Sequence, residues 1–323
     1  MKGKKDLKAF VRGIAFILLF LILFVGMLCA IPDQFGNAFH RAVVRQYDYF
    51  KSLQGEKIVF IGSSSLSFSL DLDLMEELVQ RPCAILGNTY GTGLIFQTEI
   101  AKSNLSSGDI VVVEYQNYAY NTGESELLLS AVGKRYDMHR YYPKELLGKI
   151  LEGYPSYFIK NLNYWRSWPF YVGLPYDIAA YDERGNMSFM REECEIPEEF
   201  SDEVAERYGW ADFYSMIRGI DYRFVERLNE FVLWCKDRNI KIYFIVPVIY
   251  EAAVPDYCGR ESVDAYDDAI SSVLAAPLIS HSADYIFPRE FIYESIQHCT
   301  TAGAEVRTQL LYRDLQPYLA ETA

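Results

Sequence analysis

Histidine is scarce in this chain of 323 residues, and each histidine can be considered individually. Any chemistry that needs an imidazole must use His40, His139, His281 or His298. Neither a CxxC nor an HExxH pattern occurs, so the sequence contains no recognisable metal motif and we expect no cofactor. Basic residues are also few, because 31 Lys and Arg stand against 44 Asp and Glu, a net charge of −13. This balance argues against nucleic acid as a partner.

The six cysteines have no regular spacing, which argues against a disulfide framework. Cys83 and Cys235 fall in apolar stretches and are expected to be ordinary core thiols. Cys29 lies in the apolar N-terminal run. Cys194 and Cys258 lie in polar segments and could pair outside the cell.

The N-terminal run, Ile14–Ile31, contains no charged residue. As a helix at about 1.5 Å per residue it would cover about 27 Å, close to the hydrocarbon thickness of a bilayer. Five basic residues precede it, and Pro32 and Asp33 follow. The positive-inside rule therefore predicts a cytoplasmic tail at 1–12, a membrane span at 13–32 and an extracytoplasmic domain at 33–323. A cleaved signal peptide is the alternative, but the run is long for one and no A-x-A site follows, so we expect a single signal-anchor in the cell membrane.

Short apolar runs and amphipathic segments alternate after the anchor. The order strand, helix, strand, helix, strand up to Glu114 indicates an α/β fold with a parallel sheet. An aromatic and irregular segment at about 119–215 reads as an insertion, after which the alternation resumes. The predicted strands are Lys57–Ile61, Cys83–Leu86, Ile110–Glu114 and Ile240–Val246, and the predicted helices include Leu72–Val79 and one near Leu94–Ser103.

The stretch KIVFIGSSSLSFSLD places three serines directly after the first predicted strand. A hydroxyl residue at that position either caps a helix or serves as a nucleophile at the edge of the sheet. A serine nucleophile needs a base, usually an acid that orients the base, and oxyanion donors. His298 precedes the final predicted helix, with Glu294 and Ser295 just upstream, and is the candidate base. The alternative is that His298 caps that helix and Ser64 starts a turn.

Four sequence blocks, in order, resemble those of the SGNH (GDSL-type) hydrolases, in a membrane-anchored variant related to DltD and to polysaccharide O-acetylation proteins. IVFIGSSSLSFSLD is similar to the first block, in which a glycine, a small residue and the nucleophile follow strand one. ILGNTYGTGL, GDIVVVEYQNY and FPREFIYESIQHCTTAGAEVRT are similar to the second, third and closing blocks. The resemblance implies a three-layer α/β/α, flavodoxin-like sheet domain.

The resemblance also implies roles for individual residues. Ser64 would be the nucleophile and His298 its base. The oxyanion would bind to the N–H groups of Ser64 and Gly87 and to the side chain of Asn117. The family's aspartate before the histidine is absent here, and Glu294 or Ser295 stands in its place, with glutamate able to orient an imidazole.

The implied activity is that of an esterase or O-acyltransferase, acting on acyl esters of a cell-surface glycan or envelope polymer through an acyl-serine intermediate. The family points to a polytopic membrane O-acyltransferase as a partner. The missing aspartate favours an alternative, a non-catalytic accessory or binding protein of the same acylation system. A third hypothesis is a structural envelope protein that docks on the membrane or on another protein through its aromatic segment.

Several other residues have less specific readings. Ser63 and Ser65 are expected to cap the helix or to line the turn. His139, inside the insertion, is a candidate for lining a substrate cleft. The aromatic residues there either bind sugar rings, pack the insertion or rest on the membrane interface. The acidic run Glu192–Glu206 is expected to be a solvated face, with calcium binding as the alternative.

Overall fold

A computed structural model describes residues 2–31, 33, 36–116, 123–165, 174–199, 201, 204, 220–254 and 259–319. The chain has an α/β fold around a four-stranded parallel sheet with the strand order β2-β1-β3-β4. Residues 277–279 extend this sheet along the outer edge of β4, where the Phe244 N–H donates to the Pro277 carbonyl at 2.8 Å. The strands are β1 (Ile58–Ile61), β2 (Cys83–Leu86), β3 (Ile110–Glu114), β4 (Lys241–Ile245) and a separate parallel pair, β5 (Ile249–Tyr250) and β6 (Ile286–Phe287).

Continuous apolar sequence explains the central strands. All residues of β1, β2 and β3 are buried, as expected for a parallel sheet that is covered on both faces. Ile58 pairs with Cys83 on one side and with Ile110 on the other, so the three strands begin at the same level, and β3 runs one residue further, to Glu114. The predicted strands are confirmed, with β1 and β4 slightly shorter than the sequence suggested.

Helices cover both faces of the sheet. Val59 and Ile61 point into one hydrophobic cluster, and Ile58 and Phe60 into another on the opposite face. The first cluster includes side chains of α2, α5 and α8, and the second includes side chains of α4 and α10. The helices are α1 (Lys2–Ala30), α2 (Ala42–Ser52), α3 (Ser64–Ser69), α4 (Leu72–Val79), α5 (Leu94–Ala101), α6 (Ser125–Val132), α7 (Leu147–Trp165), α8 (Tyr222–Lys236), α9 (Arg260–Val273) and α10 (Thr301–Leu319).

The N-terminal helix α1 is long and apolar enough to cross a membrane over Leu7–Ala30, and none of that stretch is buried inside the protein. Its carboxyl end is held by the insertion, because the Lys134 ammonium donates to the Cys29 carbonyl at 2.7 Å and to the Leu28 carbonyl at 3.2 Å. Lys134 also donates to the carbonyl of Ile31. A cation at the last carbonyls of a helix satisfies groups that have no partner within the helix.

The predicted irregular insertion contains two well-formed helices, α6 and α7, which pack against each other. The expectation of an irregular segment was wrong for α7, which runs for 19 residues. Apolar side chains lie on both a buried and an exposed side of this helix, including buried Ile150 and Tyr157 and exposed Leu151 and Ile159. Such a distribution hides the single apolar stripe by which an amphipathic helix is recognised.

A buried ion pair joins the sheet to the closing helix. Glu114, the last residue of β3, accepts a hydrogen bond from Arg307 of α10 at 2.6 Å, and both side chains are fully buried. Ser65 and Gln116 also donate to the Glu114 carboxylate. Burial raises the pKa of Glu114, and Arg307, Ser65 and Gln116 oppose that rise. The pair fixes α10 against the carboxyl end of the sheet.

The ends of β1 and β2 approach so closely that a glycine is required. A Cβ atom on Gly87 would lie 2.0 Å from the carbonyl oxygen of Gly62, and Gly87 has a φ of +153°. We expect Gly87→Ala to lower the free energy of unfolding by at least about 2 kcal/mol, because the two strand ends must separate. Urea unfolding of the detergent-solubilised full chain, followed by circular dichroism, measures the effect.

Gly148→Ala is the matched control for that substitution. Gly148 lies in α7 and a Cβ atom there would meet nothing within 4 Å. Alanine at this position should leave stability unchanged or raise it by up to about 1 kcal/mol. Equal unfolding free energies for the two alanine variants would contradict the close approach of the strand ends.

Candidate functional site

Ser64 is the first residue of α3, which begins directly after β1 and Gly62. Ser63 caps this helix, since its hydroxyl accepts a hydrogen bond from the Ser65 N–H at 3.3 Å, and this confirms the predicted capping role. Ser64 is half-buried, whereas Ser65 and the later serines of the helix are buried. Among the described residues the Ser64 hydroxyl has no hydrogen-bond partner. Ser64 is therefore the serine of α3 that a molecule from outside can reach.

His298 and Glu294 form a side-chain pair in the loop before α10. The His298 Nδ1 lies 2.7 Å from the Glu294 Oε1, and each side chain is 10% exposed. Ser295 contributes its backbone only, because its carbonyl accepts from the His298 N–H at 3.1 Å. Of the two residues that could stand in for the family's aspartate, Glu294 is the one that contacts the imidazole. The remaining ring nitrogen, Nε2, is then the one that can take a proton from a substrate or a nucleophile.

The environment of Glu294 favours its ionised form. Burial raises the pKa of this carboxyl group, but His298 and a hydrogen bond from the Tyr176 hydroxyl at 2.7 Å bring the pKa below its ordinary value. An ionised carboxylate accepts a hydrogen bond from the Nδ1–H group, which holds the imidazole in one tautomer and one orientation. Glu294 can thus serve the role that the acid has in a Ser-His-acid site.

Phe68 brings the histidine to the helix that carries Ser64. The rings of Phe68 and His298 stack at a centroid distance of 4.0 Å and an interplanar angle of 14°. Phe68 follows Ser64 by one helical turn, so the two side chains lie on the same face of α3, about 5–6 Å apart at Cβ. The imidazole therefore packs beside the helix face on which Ser64 stands.

Arg191, a residue of the insertion, connects the two parts of this site. Its guanidinium donates to the carbonyl of Phe68 in α3 at 3.1 Å and to the carbonyl of Cys299, next to His298, at 2.9 Å. A third hydrogen bond reaches the Phe189 carbonyl at 2.9 Å. The side chain is buried, and burial lowers its pKa. Arg191 thus fixes the distance between α3 and the loop that carries His298.

The three predicted oxyanion donors have different outcomes. The expectation for Gly87 was wrong, because its N–H donates to the Gln46 Oε1 at 3.0 Å in the interior. The Gln46 amide in turn donates to the Gly87 carbonyl at 3.2 Å. Both the N–H and the carbonyl of Gly87 are therefore hydrogen-bonded within the fold. Asn117 lies outside the described residues. Ser64, with its own N–H at the start of α3, stays a prediction.

The other three histidines have different surroundings. The ring nitrogens of His139 lie 3.0 Å from the Gly133 carbonyl and 2.7 Å from the Tyr154 hydroxyl, close to the end of α1. Burial, with Arg41 beside it, lowers the pKa of His40 to about 4. His281 is exposed, and its Nδ1 lies 3.9 Å from Asp267. His298 is the histidine whose side chain is paired with a buried glutamate.

The cysteine and metal predictions have separate outcomes. Cys83 and Cys235 are fully buried, which confirms them as core thiols. Cys258 lies outside the described residues, so its pairing with Cys194 stays a prediction. Within the ranges that the structure describes, no group of three or more His, Cys, Asp or Glu side chains could hold a metal ion. Glu192, Glu193, Glu195, Glu198 and Glu199 of the acidic run are exposed.

Sequence reasoning missed three residues that support the site, namely Gln46, Tyr176 and Arg191. Each acts through a contact with a residue that is distant in the chain, and none stands in a motif or at a periodic position. The sequence gives a weak indication that Glu114 matters, since it is a charged residue at the end of a buried strand. No protein-family model matches the chain, and no curated protein matches it either.

The lowered pKa of Glu294 predicts a pH-dependent contribution to stability. An acid whose pKa is lower in the folded state stabilises the fold above its ordinary pKa, about 4.3, and loses that effect as the pH falls through the lowered value. We expect the stability advantage of the wild type over Glu294→Gln to be largest above about pH 4.3 and to shrink at more acidic pH. Thermal unfolding of both proteins across this range measures the difference, and an advantage that grows on acidification would contradict the pairing.

Removing the Arg191 guanidinium should loosen the His298 loop. Arg191→Met leaves buried carbonyls without donors, each at a cost of about 1–3 kcal/mol. We expect a lower free energy of unfolding and faster amide hydrogen exchange in residues 291–300. Arg313→Met is the control, because Arg313 is exposed and its surface ion pairs contribute about 0–1 kcal/mol. Unchanged exchange in Arg191→Met would contradict the connecting role.

Proposed function

We propose that this chain is a membrane-anchored, SGNH-like serine esterase or O-acyltransferase that acts on acyl esters of a cell-surface glycan or envelope polymer. The observation that supports this proposal is the Glu294–His298 pair, stacked on Phe68 one helical turn from the half-buried Ser64 hydroxyl. We infer that Ser64 is the nucleophile, His298 the base and Glu294 the orienting acid. Ser64 follows the carboxyl end of β1, and α/β folds commonly carry their sites at the carboxyl ends of their strands.

The first half-reaction forms an acyl-enzyme. The Ser64 Oγ attacks the ester carbonyl carbon while the His298 Nε2 takes the hydroxyl proton. The resulting imidazolium is stabilised by the ionised Glu294 on Nδ1. When the tetrahedral intermediate collapses, the ester C–O bond breaks and the imidazolium gives its proton to the leaving alcohol oxygen. The products are a free hydroxyl group on the donor and an acyl ester on Ser64.

The second half-reaction regenerates the serine. The His298 Nε2 removes a proton from water or from an acceptor hydroxyl, whose oxygen attacks the acyl carbon. Collapse of this second intermediate breaks the bond to the Ser64 Oγ, which recovers its proton from His298. Water gives a carboxylic acid and hydrolysis, whereas a sugar hydroxyl gives a new ester and acyl transfer.

Each tetrahedral intermediate carries a negative oxygen that needs hydrogen-bond donors. The Ser64 N–H and the Asn117 side chain are the proposed donors, and one good donor is worth about 2.7–4 kcal/mol. Gly87 is left out of the proposal because its N–H is bonded to Gln46.

The proposed location follows from α1. Residues 1–12 would lie in the cytoplasm and the α/β domain outside, where surface polymers are found. The lysines before the apolar run support this orientation. A polytopic membrane O-acyltransferase is the proposed partner, since such a protein would deliver acyl groups to the outer face.

A second candidate function is a non-catalytic accessory protein that binds the same polymer. The engagement of the Gly87 N–H by Gln46 favours it, because one expected oxyanion donor is already used. This candidate predicts that Ser64 is dispensable.

Covalent labelling tests the catalytic proposal directly. The full chain in detergent is treated with a fluorophosphonate, and the labelled peptide is identified by mass spectrometry. We expect wild type to be labelled on Ser64, Ser64→Ala to be unlabelled, and His298→Ala to react about 10²–10⁴-fold more slowly. Ser272→Ala, a change at an exposed serine of α9, is the control and should label as wild type does.

The possible outcomes separate the candidates. Labelling of Ser64 that does not depend on His298 would contradict the proposed base. An unlabelled wild type that unfolds cooperatively would favour the accessory protein. A label on another serine would show that Ser64 is not the nucleophile.

A further inference from the structure

Helix α7 has an exposed apolar stripe in addition to its buried side. Leu147, Leu151 and Ile159 are 41%, 67% and 60% exposed. They are spaced at multiples of four residues, with Pro155 between them. Each step of four residues turns about 40° around the helix, so the four side chains together cover a sector of about 120°. Pro155 is exposed as well. A contiguous sector of exposed apolar side chains is a candidate for contact with something other than water.

The polar side of α7 is distinct from this stripe. The exposed residues Lys149, Glu152, Ser156 and Lys160 lie on the neighbouring sector of the helix, and Ile150 and Tyr157 lie on the buried sector. The helix thus has an apolar half, part of which is covered by α6, and a charged sector. This is the pattern of a helix that lies in the plane of a membrane interface.

Contacts of α7 and its neighbours lead to the end of the anchor. The Tyr157 hydroxyl donates to Asp33, three residues after the end of α1, and the Tyr154 hydroxyl lies 2.7 Å from His139. The His139 ring packs at 5.2 Å against the ring of Tyr136. The Tyr136 hydroxyl in turn reaches the Cys29 sulfur at 3.6 Å, within the last turn of α1.

These contacts bring α7 to the level at which α1 ends. If α1 spans the bilayer, its carboxyl end lies at the lipid–water boundary. Tyr136 is 52% exposed there, and tyrosine is a residue that membrane interfaces favour.

We propose that the exposed stripe of α7 rests in the interfacial layer of the same bilayer that holds α1. The inference rests on the proposed membrane span of α1 and is independent of the catalytic proposal. The occupant is lipid rather than another protein, because the stripe belongs to the unit that grips the carboxyl end of the anchor through Lys134 and Tyr157.

Site-specific fluorescence in lipid nanodiscs tests this contact. The full chain, with Cys29, Cys194 and Cys258 replaced by Ser, receives one new cysteine that is labelled with an NBD fluorophore. The nanodiscs contain phosphatidylcholine with or without a doxyl quencher, which is placed high on the acyl chain for the surface positions and near the end of the acyl chain for position 20. The labelled positions are Leu151→Cys and Ile159→Cys on the stripe, Ser156→Cys on the polar sector, Leu233→Cys on the exposed side of α8, and Phe20→Cys inside α1.

The stripe labels should be quenched at least about twofold, since an interfacial helix buries its apolar face about 5–10 Å into the boundary. Labels at positions 156 and 233 should show no quenching, and the label at position 20 should be quenched when α1 spans the bilayer.

Each remaining outcome overturns part of the inference. Quenching at position 20 without quenching at 151 and 159 leaves the span intact and removes the α7 contact. A blue-shifted but unquenched stripe label means that protein, such as a second copy, covers the stripe. No quenching at position 20 removes the membrane span and the inference with it.

Discussion

The buried pair of Glu114 and Arg307 is the constraint on which the geometry of the site depends. A charged group without a partner in the interior would cost several kcal/mol, so the closing helix α10 can pack only where Arg307 meets the end of β3. The same carboxylate accepts from Ser65, which ties the second residue of α3 to that point. Helix α3, which carries Ser64, and the helix that follows His298 are therefore positioned by one buried carboxylate.

Around that point the site is assembled from segments that are far apart in the chain. Ser64 comes from the first strand–helix junction, and His298 and Glu294 come from the loop before the last helix. Phe68 supplies the surface on which the imidazole stacks, and Arg191 bonds to backbone carbonyls on both sides. Ser64 is half-buried, whereas Ser63 caps the helix and Ser65 donates to the Glu114 carboxylate.

The fold was predictable where a buried element has a recognisable pattern of apolar residues in the sequence. Continuous apolar runs identified β1, β2 and β3, and the spacing of Leu72–Val79 identified α4 to the residue. Helix α7 was not predicted because its apolar residues occupy two sides of the helix. Helix α3 was not predicted because four serines in six residues resemble a turn. The sequence left open whether Glu294 or Ser295 supports His298, and the three-dimensional structure shows that Glu294 contacts the imidazole. The error at Gly87 arose because its N–H is bonded to Gln46, and nothing in the local sequence indicates a partner 41 residues away.

The insertion contacts both the carboxyl end of α1 and the candidate site. One part of it, with Lys134 and Tyr157, holds the carboxyl end of α1. Another part, with Tyr176 and Arg191, holds Glu294 and the loop of His298. The insertion therefore contacts both the segment around the end of α1 and the candidate site. The aromatic richness of the insertion then has a physical reason, because tyrosine can pack its ring in an interior while its hydroxyl bonds to a carboxylate or an imidazole.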